Sequence, residues 1–256
     1  MLDGFITVAA TVIVFGILIF IHELGHFLTA KACGVGVKEF ALGMGPRLFS
    51  WKSKKSGTEY GVRALPIGGF VSMVGEDEAS GEANAFCNKS VPKRMIIVVA
   101  GAAMNLLLAF LLMTSVVIAQ SKDGLASTTV AEFNENAVSA QKLEIGDMIL
   151  SVGGVPVFTG NDAAYEIMNQ GYEPVDIRVE RNGEKLLVED VEFGTFDESG
   201  VSFGDYDFKF LAEEVNFVNL LKHSFFRSLS TVKMTVDSII SLMTGRYGLD
   251  SISGPV

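Results

Sequence analysis

The residues best equipped for chemistry lie in one stretch, Ile17 to Leu28, which reads ILIFIHELGHFL. Residues i and i+4 of a helix share a face, so His22 and His26 can present both imidazoles to one ion. Glu23 lies beside that face, where its carboxylate can take a proton from an activated water. This is the spacing of HExxH zinc sites, and the chemistry it offers is metal-assisted hydrolysis. The chain has only three histidines, so the pattern is an improbable accident. The competing reading is a helix with two incidental histidines. The surroundings weaken it, because a charge-free apolar run leads into the motif and ionisable groups at membrane depth are costly and mark functional sites.

Two elements would have to position these residues. Residues from about 5 to 21 are apolar or small, and the helix is expected to continue to Ala30, long enough to cross a bilayer. A cleaved signal peptide would want a basic start and a small-residue cleavage site. The start is Met1-Leu2-Asp3 and the run ends in HELGH, so a retained span is expected. Met95 to Ala119 is a second charge-free span, entered just after Lys93-Arg94. Its one strongly polar residue is Asn105, in Gly101-Ala102-Ala103-Met104-Asn105. Small residues let another helix approach closely, and an amide in hydrocarbon seeks a partner. A helix–helix contact and a substrate contact would each satisfy Asn105.

The chain has 256 residues, 49% of them hydrophobic, enough for two units of ordinary size. Its net charge of −10 argues against nucleic acid as a partner. Cys33 and Cys87 are the only cysteines and form no CxxC pair, so neither a disulfide framework nor a cysteine zinc knuckle is indicated.

Between the spans, residues 31–94 carry ten Lys/Arg and six acids. Within them, two β-prone runs, about Glu59–Leu65 and Phe70–Val74, flank Pro66-Ile67-Gly68-Gly69. That is hairpin chemistry, unusually apolar for a loop. It reads either as a surface hairpin or as one dipping back toward the membrane. Residues 120–222 hold seven basic and twenty acidic residues. The higher density of basic residues in 31–94 places that segment in the cytoplasm, with the N-terminus and the acidic region outside.

Residues 128–193 read as a small mixed domain: strands at Thr128–Phe133, after Gly146-Asp147, and at Val155–Phe158, a helix at Asp162–Gln170, and a hairpin around Arg181-Asn182-Gly183. Phe196–Phe210 reads as a linker or an irregular pair of strands. Glu213 to Thr244 is helical in pattern, with Val218, Leu221, Phe225, Leu229, Val232, Val236, Ile239 and Met243 at three- and four-residue steps. It is expected to lie on the membrane or against other helices. His223, on this helix, is expected to be interfacial rather than a ligand.

With the pieces placed, the chain resembles the bacterial site-2 proteases, intramembrane zinc metalloproteases of the regulator-of-sigma-factor type. The resemblance rests on HELGH at 22–26, LGMGPRLF at 42–49, GTEYGVRALPIGGFVSM at 57–73, the GxxxN of Gly101 and Asn105, and Ser253-Gly254-Pro255, in that order. Residues 128–193 resemble the family's PDZ domain. The implied fold is a multi-pass α-helical membrane protein with a membrane-associated β-hairpin loop and an inserted extracytoplasmic PDZ-like α+β domain. Its parts would be a membrane core in 1–120, the PDZ-like domain in 121–195, and a linker and amphipathic helix in 196–256 leading to a third span. The implied site has zinc on His22 and His26, Glu23 as catalytic base, and substrate contacts at Asn105, Gly68, Gly69, Phe70 and Val71. A third ligand, an Asp of a Leu-Asp-Gly motif, is expected beyond Val256, because Leu249-Asp250 is followed by Ser251. On that expectation the chain as given is inactive. Implied partners are the lipid bilayer and single-span membrane substrates, such as anti-sigma factors or signal-peptide remnants, cleaved near the cytoplasmic side of the bacterial inner membrane. Two other readings stay open. One is a membrane-anchored PDZ scaffold with an incomplete metal site. The other is a metal transporter, which would need further intramembrane ligands.

Overall fold

The computed structural model describes residues 2–78, 80–198 and 200–244, so the Leu249-Asp250 and Ser253-Gly254-Pro255 positions lie outside the described residues. The chain divides into two compact units, 1–109 and 110–256.

The first unit begins with α1 (Leu2–Ala32), followed by β1 (Val37–Lys52), β2 (Glu59–Met73) and the first part of α2 (Val91–Gln120). Both helices are long and apolar enough to cross a membrane. Their outer side chains, among them Phe5, Val8, Ile13, Phe15, Val98 and Leu106, are exposed. A water-soluble surface rarely carries so broad an apolar area. Ala30, Val35, Val37, Val71, Met73 and Ile97 form the buried core, with Phe27, Phe40 and Phe86 packed against it. The end of α1 is tied to the sheet through Thr58, which accepts from Lys31 Nζ at 2.7 Å and donates to Val37 O at 2.9 Å.

The expected hairpin needs correction in one respect. The two runs flanking Pro66–Gly69 do not pair with each other. Instead, residues 39–42 of β1 lie between them: Phe40 is opposite both Tyr60 and Val71, and Leu42 is opposite both Val62 and Gly69. The far half of β1 pairs with the outer side of 59–63, with Trp51 opposite Tyr60. The lateral order is therefore 69–73, 37–42, 59–63, 47–52. Residues 69–73 form one edge of this sheet. Glu39 holds the layers together, accepting from Arg47 at 3.0 Å and from Arg63 at 2.8 Å. These side chains are polar in sequence, and their pairing across β1 and β2 is non-local, so turn chemistry alone pointed to the wrong partner.

The second unit takes up the rest of α2 and continues with β3 (Leu125–Phe133), β4 (Met148–Val152), β5 (Val155–Pro156), α3 (Gly160–Gln170), β6 (Val175–Arg181) and β7 (Glu184–Val191). These follow the expected order of the mixed domain. Thr159 and Asp162 form a capping box that starts α3. Asn182 and Gly183 both have positive φ, which the two-residue hairpin turn requires. The segment expected to be a linker or irregular strands is three strands: β8 (Gly194–Glu198), β9 (Val201–Asp205) and β10 (Phe208–Glu213). β8 and β9 pair with each other, while β10 adds to the main sheet, whose order is β10-β3-β4-β6-β7. Phe208, fully buried, joins Val130, Ile149, Ile167, Ile177 and Val179 in its core.

Asn216 caps α4 (Phe217–Met243), accepting from the Asn219 N–H. The apolar stripe of α4 is exposed, while its polar face packs on α3. Ser230 donates to Asp162, Lys233 pairs with Glu166, and Tyr165 donates to Asp237 at 3.3 Å. Burial, more than the neighbouring carboxylates, pushes the Tyr165 hydroxyl up to about 12, so it stays a donor. His223 is buried rather than interfacial, with Nε2 3.1 Å from Glu213. Burial pushes the Glu213 carboxyl up, but hydrogen bonds from His223 and Lys222 outweigh it and hold it below its ordinary range.

One charge pair of this unit with a fully buried carboxylate is Asp147 with Arg181. The carboxylate is fully buried and takes two guanidinium hydrogen bonds, each at 2.7 Å. Removing the cation strands a buried charge, which costs about 3–5 kcal/mol. Arg181→Met is therefore expected to destabilise the 110–256 unit by about 3 kcal/mol or more, read as a lower midpoint in denaturant-resolved proteolysis.

Candidate metal centre

α1 and α2 approach closely at two glycines. A Cβ on Gly25 would stand 2.4 Å from the Ala100 carbonyl oxygen, so the two backbones touch there. A Cβ on Gly101 would stand 2.4 Å from His26 Nε2 and 2.6 Å from His22 Nε2. Both imidazoles occupy space that any larger residue at 101 would fill.

The rings meet edge to face at 78°, with centroids 4.8 Å apart and the two Nε2 atoms separated by 3.1 Å. His26 Nδ1 lies 2.7 Å from the Ile97 carbonyl. A carbonyl only accepts, so Nδ1 donates and Nε2 keeps its lone pair in the neutral ring. His22 Nδ1 lies 3.5 Å from Asn105 Nδ2, and the Oδ1 atom of the same amide is buried without a hydrogen-bond partner.

These residues fit zinc. Two imidazole nitrogens about 2.0–2.1 Å from a tetrahedral ion stand about 3.3–3.4 Å apart, and the observed 3.1 Å is close to that. Neutral imidazoles also suit zinc as donors. Among the described residues, no group of three His, Cys, Asp or Glu side chains is assembled that could hold a metal. Cys33 and Cys87 are both free thiols.

Glu23 is half-buried and lies under the turn of β2. A Cβ on Gly69 would stand 3.2 Å from Glu23 Cγ and 3.3 Å from Ile19. Bare backbone therefore passes against the residue that follows His22. Gly68 has φ +90 and faces the Met44 side chain. Phe70 is half-buried beneath the Arg63 guanidinium, 4.6 Å from its ring centroid, and Val71 is buried. His22, His26 and Asn105 are thus gathered at one point, and Gly69 stands beside Glu23. Phe70 and Val71 continue the chain along the sheet edge. Two contributors carried no side-chain signal: the Ile97 carbonyl and the empty volume over Gly101. What sequence did offer was the four-residue spacing of 97, 101 and 105, which puts them on one stripe of α2.

Comparison with known proteins gives a family and several relatives. Residues 10–256 match Peptidase family M50. A relative in Clostridium acetobutylicum that carries a zinc metalloprotease name is 36% identical, over 99% of this chain and 73% of its own length. The zinc metalloprotease RasP of Shouchella clausii is 26% identical, over 98% of this chain and 78% of its own length. The regulator of sigma-W protease RasP of Bacillus subtilis is 24% identical over the same shares.

Gly101→Ala is expected to lower zinc affinity at least about tenfold, because the added methyl group displaces both imidazoles. Chelator competition on the purified protein measures this. Ala103→Val, at an exposed position of the same helix, leaves the affinity unchanged.

Proposed function

Because this chain belongs to peptidase family M50 and is a zinc-dependent membrane protease of that family, we propose that it cleaves single-span segments of membrane proteins within the bilayer. The observation that carries this reading is the 3.1 Å convergence of His22 and His26 Nε2 at the level of a spanning helix, with Glu23 one residue away. His22 and His26 hold the metal. Bound zinc supplies a Lewis acid that polarises the scissile carbonyl and lowers the pKa of water to about 7. Glu23 takes the proton of the attacking water and delivers it to the departing amine. Gly69, with no side chain, lets the backbone of the sheet edge lie directly against Glu23.

A helical substrate hides its carbonyls and must be opened first. The edge at 69–73 pairs with β1 on one side only among the described residues, and strand addition there would hold an opened segment beside Glu23. Gly68, Gly69, Phe70 and Val71 provide that edge, and Asn105 provides a polar contact from α2. The name of the Bacillus relative, a regulator of sigma-W protease, supports substrates of the anti-sigma-factor kind.

The topology goes with this reading: residues 31–94 in the cytoplasm, the N-terminus and the acidic unit outside, and the chemistry near the cytoplasmic side. The sheet of β3, β4, β6 and β7 with the capped α3 supports a PDZ-like module, acting as a size filter or docking platform for substrates already trimmed outside. The exposed stripe of α4 supports an orientation along the membrane surface.

Glu23→Gln is expected to keep zinc bound and to cut turnover of a membrane-spanning substrate by about 10²–10⁴-fold. Cleavage in detergent by a full-length version that carries the third ligand, with parallel zinc analysis, is the measurement, and persisting cleavage sinks the assignment. Proline scanned through Val71–Val74 is expected to lower cleavage by about tenfold wherever an outward N–H is lost, with zinc content unaltered. A scan without effect removes the strand-addition step.

A further inference from the structure

Each imidazole of the pair needs its Nδ1 proton satisfied if Nε2 is to face a metal. For His26 the acceptor is the Ile97 carbonyl, at 2.7 Å. For His22 the group at Nδ1 is the Asn105 amide, with Nδ2 at 3.5 Å. An NH2 group facing an N–H is donor against donor. The oxygen of the same amide, Oδ1, is meanwhile buried with no partner, at the cost of an unsatisfied acceptor. The two ends of an amide are nearly the same size, so its orientation is set by its partners. A half-turn about the terminal bond brings Oδ1 to His22 Nδ1 and resolves both defects at once.

We propose that Asn105 is the positioning residue of His22: its Oδ1 accepts from Nδ1–H, which fixes the tautomer that leaves Nε2 bare toward His26. Residues 97, 101 and 105 then form one functional stripe on α2. A carbonyl orients His26, an empty site at Gly101 admits both rings, and an amide orients His22. The turned amide leaves Nδ2 free to donate to a substrate carbonyl. This inference rests on the zinc-ligand reading of His22 and His26, and deepens it.

The test is zinc affinity of the purified full chain in detergent, by competition with a chromophoric chelator. Asn105→Leu removes the acceptor and is expected to lower affinity by about 10–100-fold. Asn105→Asp keeps an oxygen acceptor and is expected to hold zinc like the wild type. Helix content and detergent-corrected mass verify folding. If the leucine variant does not fold, Asn105→Ala, which removes the amide without adding bulk, must show the same loss. The proposal is overturned if the leucine or alanine variant binds zinc as tightly as the wild type, or if the aspartate variant releases it as readily as they do. His22→Ala separates the two levels. If it loses zinc while Asn105→Leu keeps it, only the Asn105 assignment falls. If it binds like the wild type, the ligand reading falls and takes this one with it.

Discussion

Everything at the candidate site depends on how closely two apolar helices can touch. In hydrocarbon there is little hydrophobic gain from bringing helices together, so their contact relies on packing and on polar groups that need partners. Gly25 brings the backbone of α1 onto the Ala100 carbonyl. With the helices that close, an imidazole from α1 reaches a backbone carbonyl within α2, which has two lone pairs with which to accept. The bond from His26 to Ile97 O is therefore a product of glycine packing as much as of histidine chemistry. Gly101 then keeps open the volume in which the two Nε2 atoms meet.

Much of this could be read from the sequence because helices are local. The i, i+4 histidines, the long apolar runs and the capping box at Thr159 are each determined within a turn or two of chain. The Asn182-Gly183 hairpin is likewise local. What could not be read is what distant segments decide. The runs on either side of Pro66–Gly69 looked like a hairpin because turn residues sit between them, yet residues 39–42 supply the pairing for both. β10 was hidden for the same reason, since it follows directly on a Gly- and Asp-rich segment and its partner β3 lies about eighty residues earlier. His223 looked interfacial from its place on an amphipathic helix, but its partner Glu213 belongs to the preceding strand.

α4 keeps the period read from its sequence and packs through its polar face. The apolar residues recur as a helix face should, and in a soluble protein that face would be buried. Here Val218, Phe225, Leu229, Val232 and Ile239 are exposed, and serine, lysine and aspartate make the contacts with α3. The reversal is physically consistent if the solvent of the outer face is lipid. The polar face then finds fixed partners on α3, and the apolar face has no water to avoid.

The same reasoning bears on why the polar groups of the site are so few. At membrane depth each unsatisfied hydrogen-bonding group costs several kcal/mol, so every one must be matched by another group or by the ion. His26 is matched by a carbonyl on one nitrogen and faces His22 on the other. Among the described residues, the Asn105 oxygen is buried and unmatched beside the pair. A span that otherwise excludes strongly polar residues would not carry an idle amide there, which is why its orientation, rather than its presence, is the informative feature of this centre.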